Sequence, residues 1–223
     1  MVKKSAAESK RSARTERRRE QMRTEILKTA REIIVRDGVD GFAVSSVADE
    51  MGLTKPALYY YFDSKEALTF EIWIREWVDS AAEVQAAVEQ TDSGADAVEA
   101  MMRTVFNRYR DQLDLFMFLH RMAPMGDLRI LVGPEELQRI HPVNDMLYAG
   151  AEKRLWADLR GARFSKKRDA RRFAFTAHTA AIGVLNMLAM VSTSDDPLVH
   201  SDDDLINDIC QTYRYTTEQA GVK

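Results

Sequence analysis

A single cysteine in 223 residues leaves no internal disulfide framework and no cysteine-built zinc cluster. Ten glycines and five prolines are too few for a turn-rich all-β chain. No stretch reaches the ~18 uncharged apolar residues that a bilayer span demands. The longest apolar run, 173–191, is interrupted by Thr176, His178, Thr179 and Asn186, so no membrane association is expected. The N-terminus has no apolar core of a secretory signal, and a cytoplasmic protein is the simple expectation. Enzyme signatures are missing too: there is no nucleophile elbow, phosphate loop, HExxH or dinucleotide fingerprint. The four histidines, His120, His141, His178 and His200, form no i, i+4 pair that one helix could offer a metal. The expectation is therefore a non-enzyme without cofactor or metal.

Alanine, leucine, methionine, arginine and glutamate are abundant, and all favour helices. Net charge is −3, but it is unevenly spread. Residues 1–23 hold nine Lys or Arg against three acids, a balance of +6, which leaves −9 on the other 200 residues. A basic end on an acidic body suits a polyanionic partner or a solubilising tail. Residues 1–16 are polar, basic and without apolar periodicity, and read as a disordered arm.

Order is expected from Arg17 or Thr24. Ile26, Leu27, Ala30, Ile33 and Ile34 line one face of a helix that Gly38 and Gly41 stop. A short helix follows over about 45–51, then Gly52, then a restart at Thr54. Asp63 or Ser64 caps a long helix to about Glu89, with Glu66 placed as in a capping box. Its ~25 residues span about 37 Å, too long for a small N-terminal cluster alone. Further helices are expected at 95–110, 112–123, 134–160, 166–192 and 202–220. The breaks are MAPMGD, RGARF and STSDDP. Residues 129–132 are the nearest thing to a strand. The fold class is all-α.

The segment LTKPALYYYF, residues 53–62, carries the sharpest signal. On a helix turning roughly 100° per residue, Leu58 and Phe62 share one face and Tyr60 lies opposite. Tyr59 and Tyr61 occupy the shoulders, so the three phenols cannot all enter one core. Pro56 is tolerated because it falls in the first turn. VSSVADEMG followed by LTKPALYYYF reads as helix, glycine turn, helix, the pattern whose second helix enters the DNA major groove. A tyrosine there can pack its ring on a sugar or a thymine methyl and donate its hydroxyl to a phosphate. The plainer alternative is a small bundle with tyrosines packed between helices.

ILKTA (26–30), Gly38, SSVADEMG, LTKPALYYYF and DSKEAL together resemble the TetR family of bacterial transcriptional repressors, over residues 24 to about 70. The resemblance implies an N-terminal three-helix DNA-binding unit (17–70) and a C-terminal helical ligand-binding and dimerisation domain (71–223). It implies that Thr54 caps the recognition helix and touches a phosphate. Lys55, Pro56, Ala57 and Tyr60 would read bases, Tyr59 and Tyr61 would contact the backbone, Lys65 would hold a phosphate, and Ser45 would contact DNA from the preceding helix. The family more often has histidine at the place of Tyr61 and a small residue at that of Pro56, which alters contact detail. The basic arm would reach a minor groove or add non-specific phosphate contacts.

A homodimer on double-stranded operator DNA is further implied, its half-sites about 34–36 Å apart or a multiple. The last two helices would form the dimer interface. A small apolar or amphipathic ligand would enter the second domain, where Met102, Phe106, Tyr109, Phe116, Leu119, Met146, Trp156, Phe175 and His178 are the candidate lining. Each of these taken alone reads equally as core. The rival reading of the whole is a ligand-independent architectural or nucleoid-type DNA-binding protein.

Overall fold

A computed structural model describes residues 2–122, 134–191 and 201–219. Among them the chain forms nine helices: α1 Val2–Gly41, α2 Val44–Glu50, α3 Lys55–Tyr59, α4 Lys65–Glu89, α5 Gly94–Tyr109, α6 Leu113–Met122, α7 Pro134–Leu159, α8 Lys167–Val191 and α9 Asp202–Glu218. No strand occurs among the described residues; the only pairing of that kind is an isolated bridge, Arg160 with Phe164. Residues 129–132 and the MAPMGD and STSDDP breaks lie outside the described residues, apart from Met122.

Helix α1 begins at Val2, well ahead of the onset of order expected near Arg17 or Thr24. The reason is local. Residues 6–23 are mostly Ala, Arg, Lys, Glu, Gln and Met, with neither proline nor glycine, so the helix can extend without an apolar face to bury. It loses helical geometry at Gly38, where φ is 74°.

The chain divides into two compact units, Met1–Trp73 and Ile74–Lys223, with the division inside α4. In the first unit, Ile26, Ala30, Ile33 and Ile34 of α1 are fully buried, together with Val47 of α2 and Leu58. Gly52 makes the turn between α2 and α3. With φ 64° it occupies the left-handed region that side-chain-bearing residues avoid. Gly52 N–H donates to Asp49 O (3.1 Å) and Leu53 N–H to Ala48 O (2.8 Å), the paired bonds of a Schellman stop. Two side chains then set the next starts. Thr54 Oγ1 accepts from Ala57 N–H at 3.3 Å, and Ser64 Oγ from Ala67 N–H at 3.0 Å.

In the second unit α5 packs against α7, α8 and α9, and α6 against α8. α5 starts under Ser93, whose Oγ accepts from Asp96 N–H at 3.1 Å. Gly94 is needed there for closeness. A Cβ at this position would sit 2.8 Å from Leu155 Cα on α7, and the Gly94 N–H donates to Asp158 Oδ2 at 2.6 Å. α8 is long and apolar enough, by length and composition, to cross a membrane. Here its Ala170, Ala174, Ala177, Ala181 and Leu185 are fully buried, small groups that let neighbouring helices approach.

Candidate functional site

The expected nucleic-acid surface lies on the first unit, and its geometry follows from two anchors. Leu58 is fully buried and Phe62 is 2% exposed, whereas Tyr60 is 65% and Tyr59 42% exposed. Helical hydrogen bonding continues through Tyr60 N–H to Pro56 O (3.1 Å) and Phe62 N–H to Leu58 O (3.2 Å). The anchors therefore remain on one side and the phenols on the other. Thr54, Lys55 and Pro56 are exposed, while Ala57 and Tyr61 are half-buried. Tyr60 and Tyr61 meet edge to face with ring centres 5.1 Å apart. Lys65 is exposed on the first turn of α4, its ammonium 5.9 Å from the Phe42 ring centre. Ser45 on α2 is half-buried.

Two residues escape the sequence reading of this surface. Arg23 donates from Nη1 to the Tyr61 carbonyl and lies over the Phe62 ring, 4.3 Å from its centre. Arg19 lies over the Tyr60 ring at 5.7 Å. The signal was present as spacing. Positions 19, 23, 26, 30 and 33 form one continuous i, i+4, i+7 stripe, with arginine replacing the apolar residues where α1 leaves the core.

In the second unit the candidate lining separates by depth. Met102 is fully buried; Phe106, Phe116, Tyr109 and Leu119 are also buried. Tyr109 and Phe116 meet with ring centres 5.9 Å apart. Met146 and Trp156 are half-buried, and Phe175 is 53% exposed. The organising residue of the polar part is Tyr148, which sequence reasoning missed. Its hydroxyl bonds His178 Nδ1 at 2.6 Å, and its ring meets Phe175 edge to face at 5.7 Å. On α7 the buried stripe Val143, Leu147, Ala151 and Leu155 places Tyr148 on its flank. Met146, two residues away and so about 200° round the helix, points to the other side. His120 stacks on Phe116 with centres 4.0 Å apart and bonds the Phe116 carbonyl at 2.9 Å. Beside Tyr148 opens a cleft of about 400 Å³ lined by Asn144, Tyr148, Arg168, Arg171, Arg172 and Phe175.

Burial lowers the His178 pKa to about 4, with a smaller contribution from His120. Burial also lowers His120, against the bond to Phe116 O. A histidine depressed on folding stabilises the fold above its unfolded pKa of ~6.5 and loses that contribution as pH falls toward the folded value. For His178 the loss between pH 7 and pH 5 should be about 2 kcal/mol. Urea unfolding at the two pH values, with His178→Gln as control, checks this. Gln keeps an acceptor for Tyr148 but does not titrate. An equal pH dependence in wild type and variant would assign the effect elsewhere.

Comparisons with known proteins converge on one group. Residues 26–72 match the family model described as bacterial regulatory proteins, tetR family. A TetR/AcrR-family transcriptional regulator from Thermobifida fusca is 25% identical, with a TM-score of 0.53, covering 87% of this chain and 97% of its own. FadR, a transcriptional regulator from Bacillus subtilis seen in complex with stearoyl-CoA, is 13% identical at TM-score 0.64, covering 90% and 99%. A bacterial regulatory protein in the tetR family from Rhodococcus RHA1 is 13% identical at TM-score 0.59, covering 87% and 96%. None of the curated protein sequences compared with this chain matches it.

Proposed function

We propose, from the premise that this chain belongs to the tetR family of bacterial regulatory proteins, that it is a repressor which a small ligand releases from its operator. DNA-binding transcriptional regulation is the activity of the family; repression, the dimer and the ligand are our reading. The observation that carries it is Tyr60, 65% exposed on a helix whose Leu58 and Phe62 are buried. A large aromatic left uncovered beside exposed Thr54, Lys55 and Pro56 suits a duplex groove. In this reading Ala57 shares the base-reading face, Tyr59, Tyr61 and Lys65 contact the backbone, and Ser45 approaches from α2. Residues 17–70 then serve as the DNA-binding domain and 71–223 as the regulatory and dimerisation domain.

The dimer is supported by an uncovered apolar face. Phe175, Met187 and Met190 of α8 and Tyr215 of α9 are all more than half exposed, which a single copy in water does not favour. A second copy covering them would set two α3 helices on the half-sites of a pseudo-palindrome.

For the ligand, FadR holds an acyl-CoA, a molecule with a long apolar part. Met102, Phe106 and Phe116 offer apolar lining, and the cleft at Tyr148 combines aromatic walls with arginines. An apolar or amphipathic small molecule is the class proposed. It acts only if it binds the released state more tightly than the bound one. α4 runs unbroken from Lys65 to Glu89 across the division of the units and is the element such a ligand would displace.

Tyr60→Ala tests the reading. It should weaken retention of the DNA flanking the gene, in a gel shift with competitor DNA, by about 1–3 kcal/mol. Helix content and the melting curve should stay as in wild type. A large loss of stability would place Tyr60 in the core and remove the basis of the reading.

A further inference from the structure

The N-terminal half of α1 is a helix without a core to pack on. From Ser12 to Gln21 every side chain is exposed, including Arg14, Arg17, Arg18 and Arg19. It continues the axis of a helix whose next turns are locked into the first unit by Ile26, Ala30 and Ile33. The stripe that carries those three residues runs on through Arg23 and Arg19, so it meets the recognition segment on the same side. Arg23 ties down the Tyr61 carbonyl and the Phe62 ring, and Arg19 covers the exposed Tyr60.

We propose that residues 12–23 form a rigid basic rail that lies along the nucleic-acid backbone beside the recognition helix, with Arg19 as the residue joining the two surfaces. The inference rests on the DNA-binding reading and adds a second contact element to it. A helix differs from a tethered arm in one physical respect. Its charges are held at fixed positions, so phosphate contacts form without ordering the chain first. From Ser12 to Arg23 the rail measures about 16 Å, which spans several phosphates of one strand. The charge balance favours this partner: Arg14, Arg17, Arg18, Arg19 and Arg23 outnumber Glu16 and Glu20, while the rest of the chain is acidic.

The test needs no operator, because phosphate contacts are independent of sequence. The probe is a fluorescein-labelled 30-base-pair duplex of mixed sequence, titrated with the full chain between about 25 and 200 mM KCl, where the salt slope counts the phosphates neutralised. Replacing Arg14, Arg17, Arg18 and Arg19 together by Gln should reduce the slope by about 2, each lost contact being worth ~0.9. Gln21→Pro keeps every charge but breaks the helix between rail and core, and it should reduce the slope similarly. Circular dichroism and urea unfolding of both variants verify that the first unit stays folded.

An unchanged slope in the Gln variant would overturn the rail. An unchanged slope in Gln21→Pro alone would replace it by a flexible arm. Wild type failing to bind the duplex at low salt would sink the DNA-binding reading along with it. Vesicles of phosphatidylglycerol and phosphatidylcholine are the control. Loss of vesicle binding in the Gln variant, with the DNA slope intact, would assign the rail to a membrane surface and end the proposal.

Discussion

Arg108→Met should cost about 3–5 kcal/mol of stability in the second unit. Arg108 on α5 donates from Nη2 to Glu76 Oε2 at 3.0 Å and from Nη1 to Glu83, both on α4. The two pairs differ in weight. The Glu83 side chain is 51% exposed, so water screens that pair and its share is small. The Glu76 side chain is 5% exposed and that of Arg108 14%. Removing the guanidinium there leaves a carboxylate in a place poor in water. The Arg108 Nε is buried without a hydrogen-bond partner, so the native arrangement already carries a desolvation cost.

That cost gives the prediction a second arm. Arg108→Met combined with Glu76→Leu should recover most of the loss, since two apolar groups can replace a buried pair at little cost. Urea unfolding of both single variants and the double variant, read as a double-mutant cycle, decides it. If the double variant is as unstable as Arg108→Met alone, the clasp is not what holds α4 to α5 at this point. Tyr109, next in sequence, is a candidate ligand-lining residue and bonds Ser80 on α4. The same double variant therefore asks whether a clasp between these helices is also needed for regulation of DNA binding.

Leu58→Ala should destabilise the first unit by about 2–5 kcal/mol and abolish DNA retention. The reason is the brevity of α3. Five residues make too few helical hydrogen bonds to hold a helix in water. Its position depends on Leu58 and on Phe62 just beyond it, both buried. Truncating Leu58 leaves a cavity next to Val47 and the α1 stripe that the short helix cannot easily fill. The contrast with Tyr60→Ala is the informative part: one substitution should damage folding and binding together, the other binding alone. Unfolding by urea and gel shift on the same preparations separate them. Leu58→Ala with full stability would mean that the anchor lies elsewhere.

Much of this was legible before any coordinates. The long helix was placed at Ser64–Glu89 and occurs at Lys65–Glu89, because Ser64 is a strong cap and Gln90–Asp96 a strong loop. The burial of Leu58 and Phe62 against the exposure of Tyr60 followed from helical periodicity alone. The helical start of α1 was missed because polar, charged segments give no apolar pattern, even where every residue favours a helix. Tyr148 was missed for a different reason. It lies one residue off an apolar stripe, and its partner His178 is thirty positions away on another helix.

The sequence by itself determined the all-α class, the helix boundaries and the sidedness of the tyrosine run, since these depend on propensity, caps and period over a few residues. Only the tertiary structure decided which charges meet: Arg19 with Tyr60, Arg108 with Glu76, Tyr148 with His178. Such pairs join helices whose relative rotation is set by the packing of whole faces, and a linear pattern carries no record of it.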